Sequence, residues 1–79
     1  GAPAQKPTLT LSLRGRPERE FIAALRSVLQ KEPGPVSVYL RIESAGKWRV
    51  VETDYLVSAE EPLLEELRSL LGEENIVLS

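Results

Sequence analysis

The chain has 79 residues, a formal net charge of −2, and no Cys, His or Met. That length accommodates one small domain, and without Cys or His, thiol nucleophiles, imidazole bases and nearly every zinc ligand set are excluded. No apolar run approaches the ~20 residues that a membrane helix needs.

Residues 1–7, carrying Pro3 and Pro7 among small and polar side chains, read as a flexible lead-in to a single domain over residues 8–79. The first residues lack a basic-then-apolar signal layout, and the absence of a starting Met suggests a piece of a longer protein. The missing Cys fits a cytoplasmic location. Few amides (Gln5, Gln30, Asn75) beside many Arg and Glu are features of thermophilic proteins. The small net charge conceals an asymmetry. Residues 1–51 hold nine basic and four acidic side chains, whereas residues 52–79 hold Arg68 and eight acidic ones. A basic surface for nucleic acid would have to come from the first part of the chain.

Thr8 to Arg14 alternates strictly, with Leu9, Leu11 and Leu13 on one face of a strand. Pro17 occupies what reads as a first helical position. Phe21, Ile22, Leu25, Val28 and Leu29 then form the apolar stripe of a helix that Pro33-Gly34-Pro35 stops. Val36, Val38, Leu40 and Ile42 alternate with Ser37, Tyr39, Arg41 and Glu43 as a second half-buried strand. Ser44-Ala45-Gly46 reads as a three-residue hairpin loop. That loop would pair Glu43 with Lys47, setting Trp48 and Val50 on the core face and Arg49 opposite Arg41 on the outer face. The third strand is expected to bend near Asp54 and continue through Val57.

Ser58-Ala59-Glu60-Glu61 has capping-box spacing for a second helix, with Pro62 as its first residue the alternative. Leu63, Leu64, Leu67, Leu70 and Leu71 repeat the earlier stripe, Gly72 closes the helix, and Asn75 to Leu78 forms a last short strand. The element order is βαββαβ. The expected fold is α+β: a four-stranded, mainly antiparallel sheet with both helices on one face, ferredoxin-like.

The pairs Glu60-Glu61, Glu65-Glu66 and Glu73-Glu74 read as solvated polar surface. No catalytic residue, metal ligand or cofactor site is expected, so the chain is expected to act by binding. Tyr39, Arg41, Lys47, Arg49 and Val51, grouped on the outer face of the hairpin, are the candidate partner-binding residues. Like charges kept together suit an acidic or phosphate partner, and the acidic second helix is the rival surface.

Several segments together resemble a known family. They are Val38-Tyr39-Leu40-Arg41-Ile42, Trp48-Arg49-Val50-Val51, Tyr55-Leu56-Val57-Ser58, and the run from Leu63-Leu64-Glu65-Glu66-Leu67 through Leu70-Leu71-Gly72 to Asn75-Ile76-Val77-Leu78. This pattern resembles the extreme C-terminus of the alpha subunit of bacterial DNA polymerase III, and it covers residues 8–79. The resemblance implies a non-catalytic module that tethers the polymerase to the tau subunit of the clamp loader. The polymerase carboxylates of that family lie far upstream and have no counterpart here. No glutamine-led clamp-binding peptide is visible, since no Gln follows Gln30. A monomer without tight nucleic-acid binding is expected. The alternative is a small nucleic-acid-binding domain using its sheet face, which needs exposed aromatics on adjacent strands.

Overall fold

A computed structural model describes residues 7–15 and 17–79; most of the expected lead-in, residues 1–6, lies outside the described residues. These residues form β1 (Thr8–Arg14), α1 (Arg19–Lys31), β2 (Pro33–Ser44), β3 (Lys47–Val57), α2 (Glu61–Leu71), a 3-10 turn (Glu73–Asn75) and β4 (Ile76–Leu78). The α+β class and the βαββαβ order are as expected. The four strands form one sheet in the order β3-β2-β1-β4. Two of its three pairings are antiparallel, and β1 and β2 are parallel. A split βαβ unit carries another strand between its parallel pair. Here β1 and β2 lie side by side, Leu9 against Val38 and Leu11 against Leu40.

The alternation of β1 does what it predicts. Leu9, Leu11 and Leu13 are buried, joined by Val36, Val38 and Val57 from the sheet and by Leu25, Leu29, Leu63 and Leu67 from the helices. Both helical stripes therefore meet one face of the sheet, and α1 and α2 touch each other over it. The other face of the sheet is left without a covering layer among the described residues.

The helix starts differ from expectation. Pro17 precedes α1 rather than opening it: Glu18, extended at ψ 155°, holds the N-cap position. In α2 the capping box of Ser58 does not form. Glu60 is the N-cap and Pro62 lies in the first turn, where a missing N–H costs nothing. Ser58 is engaged elsewhere, its N–H donating to the Glu32 carbonyl at 2.8 Å.

That bond belongs to a tight junction. Glu32 leaves the helical region at φ −130°, ψ 91°, as a residue before proline tends to do. The chain enters β2 already at Pro33, three residues earlier than expected, opposite Val57. A Cβ on Gly34 would lie 2.6 Å from the Ser58 Cα and 2.7 Å from the Val57 carbonyl carbon. Only a residue without Cβ lets the two backbones approach this closely.

The expected bend in β3 is an irregularity in its pairing. Tyr39 faces Glu52 while Ser37 faces Leu56, so β3 carries two extra residues there. The Thr53 hydroxyl fastens the site, donating to the Val38 carbonyl at 2.7 Å and accepting the Tyr55 N–H at 3.2 Å. An even number of extra residues preserves which face each later side chain takes.

Two sets of substitutions test this packing in urea unfolding. Leu25→Ala and Leu67→Ala should each cost about 2–5 kcal/mol by emptying core volume. Arg26→Ala and Arg68→Ala, which lose only exposed polar contacts to Tyr55 and Glu61, should leave stability nearly unchanged. At the junction, Gly34→Ala should cost about 1–3 kcal/mol through overpacking against backbone; an unchanged midpoint would contradict the close approach of Gly34 to Ser58.

Candidate functional site

The open face of the sheet is built by the turn between β2 and β3. Ala45 (φ 54°) and Gly46 (φ 76°) both lie in the left-handed region, the signature of a two-residue type I′ turn whose twist suits a hairpin. Ser44 therefore pairs with Lys47, and the ladder continues Glu43–Trp48, Ile42–Arg49, Arg41–Val50, Leu40–Val51 and Tyr39–Glu52. The three-residue loop expected from the sequence is one residue too long. A one-residue slip turns every side chain of a strand over, and that is the outcome in β3.

Five assignments change as a result. Lys47, Arg49 and Val51 share the helix-bearing face with Leu40 and Ile42 and do not join Tyr39 and Arg41. Arg49 does not face Arg41. Trp48 and Val50, expected in the core, lie on the open face, where Val50 is 61% and Trp48 38% exposed. Of the five candidate residues, the structure brings together Tyr39 and Arg41 and separates the other three.

The parallel pairing with β1 adds a residue that sequence reading missed. Arg14 pairs with Glu43, which pairs with Trp48, giving one row across three strands; the next row is Ser12, Arg41 and Val50. The Arg41 guanidinium carbon lies 4.6 Å from the centre of the Trp48 ring and that of Arg14 5.9 Å. Both are within reach of the attraction between a cation and an indole face. Further along, Thr10, Tyr39 and Glu52 form a row, then Thr8, Ser37 and Leu56, the last 55% exposed. Two cues were available in the sequence: the outward parity of Arg14 opposite three leucines, and the Ala45-Gly46 pair as a short turn.

The ionic contacts lie on the other side of the molecule. Lys31 Nζ meets Glu66 Oε1 at 2.7 Å, joining α1 to α2. Arg68 donates twice to the Glu61 carboxylate, at 3.1 and 3.2 Å. That hydrogen bonding, and then the charge of Arg68, hold the exposed Glu61 carboxyl below its ordinary range. Glu61 and Glu66, on the acidic helix, are thus already matched by cations of this chain. Among the described residues no group of three or more His, Cys, Asp or Glu could hold a metal, and no helix is long and apolar enough to cross a membrane.

A cleft of about 460 Å³ opens where β1 ends, between Leu13, Pro17, Phe21, Leu70, Leu71 and Asn75. Its lining is mainly apolar, and the Asn75 side-chain amide is occupied in capping α2 by donating to the Leu71 carbonyl at 2.6 Å. No protein-family model, curated protein or solved structure matches the chain.

The turn geometry has a direct test. Ala45 sits in a region that costs an L-residue about 1–2 kcal/mol and that Asn tolerates better. Ala45→Asn, creating the preferred Asn-Gly turn, should raise the thermal midpoint, an increase equivalent to roughly 0.5–1 kcal/mol. A lowered midpoint would count against a type I′ turn here.

Proposed function

We propose that this chain is a non-catalytic protein-interaction module that docks a partner through the open face of its sheet. The observation that carries the reading is the uncovered face on which Trp48 and Val50 are exposed beside Arg14 and Arg41, with Leu56 exposed farther along it. Exposed apolar groups gathered on one face, with Trp and Arg among them, have the composition of interface hot spots. Combined with the sequence resemblance, the reading becomes specific. The module tethers a bacterial replicative polymerase to the tau subunit of the clamp loader, in the cytoplasm, and contributes no carboxylates to the polymerase reaction.

One observation favours the nucleic-acid alternative. Tyr39 and Trp48 share the open face on adjacent strands, the arrangement that base stacking uses. The charge pattern opposes it. Arg14 and Arg41 alternate on that face with Glu43 and Glu52, and a polyanion needs a clustered basic surface.

Calorimetry against the C-terminal region of the tau subunit tests the reading. Val50→Asp and Arg41→Glu should each weaken binding by about tenfold or more, since both sit within the patch. Arg49→Glu, on the opposite face, and the pair Glu65→Lys with Glu66→Lys, on α2, should change it little. Loss of binding from the α2 swap with silent open-face variants would move the docking surface to the helix. Sub-micromolar affinity for single-stranded oligonucleotides at ~150 mM salt would favour the alternative.

A further inference from the structure

The guanidiniums of Arg14 and Arg41 stand out among the charged groups of the open face. Each lies near the same indole, yet neither donates a side-chain hydrogen bond or forms an ion pair among the described residues, where the ion pairs are Lys31–Glu66 and Arg68–Glu61. Contact with an aromatic plane leaves the in-plane N–H fork of a guanidinium free, and that fork matches a carboxylate in a bidentate way. The indole also restrains two side chains that would otherwise lose rotamer freedom on binding. Arg14 comes from β1, Arg41 from β2 and Trp48 from β3, so the cluster is fixed by the sheet rather than by a loop.

We infer that Arg14, Arg41 and Trp48 form a carboxylate-recognition site, and that the partner segment seated on the open face presents an Asp or Glu side chain to it. This inference rests on the docking reading above and names the chemistry of its partner. Charge decides between the two sources of anionic groups. Glu43 lies between Arg14 and Trp48 in its row, and Glu52 faces Tyr39. Two carboxylates spaced among two guanidiniums repel a continuous phosphate backbone but admit an Asp or Glu side chain directed at the arginines. The neighbouring apolar residue Val50 offers a contact for the flanking side chains of an extended peptide.

Trp48 is the only tryptophan of the chain, so its fluorescence reports from inside the site without a label. The 79-residue chain is titrated with three probes: a decapeptide with one central Glu among apolar residues, the same peptide with Gln in place of Glu, and a ten-nucleotide thymidine strand. The Glu peptide should shift Trp48 emission in a saturable way that weakens with added salt. The Gln peptide should bind at least about tenfold more weakly. The double variant Arg14→Gln with Arg41→Gln, its fold verified by an unchanged thermal midpoint, should lose the discrimination between the two peptides.

Equal responses to the Glu and Gln peptides, or discrimination retained in the double variant, would overturn carboxylate recognition. A tighter response to the thymidine strand than to the Glu peptide would overturn it in favour of phosphate. The two levels of the proposal separate in the tau calorimetry. If Val50→Asp weakens that complex while Arg14→Gln with Arg41→Gln does not, the open face docks the partner and the carboxylate site is wrong. If neither has an effect, the docking reading itself fails.

Discussion

Ala45 and Gly46 turn the chain with two residues in the left-handed region, and the open face depends on that constraint. With two residues in the turn, Ser44 meets Lys47 and the indole of Trp48 emerges on the same side as Arg41. With three, the indole and Val50 would turn toward the helices, and Arg49 and Val51 would take their places outside. Nothing in the composition of β3 forbids the second outcome, because both its faces mix apolar and charged side chains. Backbone twist supplies the choice, since a type I′ turn matches the right-handed twist of the strands it joins.

Beneath the turn, the molecule is ordered by three leucines. Leu9, Leu11 and Leu13 are buried under the helices, and they belong to the strand that pairs on both sides. The parallel contact with Val38 and Leu40 requires a crossover, which α1 supplies by returning across the core. The second crossover, through α2, joins the two edge strands β3 and β4 across the whole sheet. Both helices consequently crowd one face, and most of the chain between Val57 and Glu73 is α2 itself, whose 11 residues carry it across the sheet.

This difference in constraint explains what was legible in the sequence. The leucine alternation of β1, the two helical stripes and the βαββαβ order could be read because each repeats a period over many residues. Element starts were less legible. Pro17 and Ser58 carry sound local signals, but Ser58 is claimed by its bond to Glu32, a contact 26 positions away in sequence that no local pattern encodes. The open face was half legible. Tyr39 and Arg41 followed from the parity of β2, whereas Trp48 and Val50 hung on a single residue of loop length. Arg14 required knowing that β1 and β2 are neighbours.

The pairing of β4 has a mechanical consequence. Thr8 and Ser79 exchange reciprocal backbone hydrogen bonds of 3.0 and 2.9 Å, so the chain enters and leaves this fold at one corner. A pull applied between those two points would open the β1–β4 ladder like a zipper, one bonded pair after another. A pull between Thr8 and the hairpin turn would instead load the β1–β2 ladder, whose seven paired positions from Thr8 to Arg14 share the force. The same sheet thus yields easily to a pull between Thr8 and Ser79 and resists one between Thr8 and the hairpin turn.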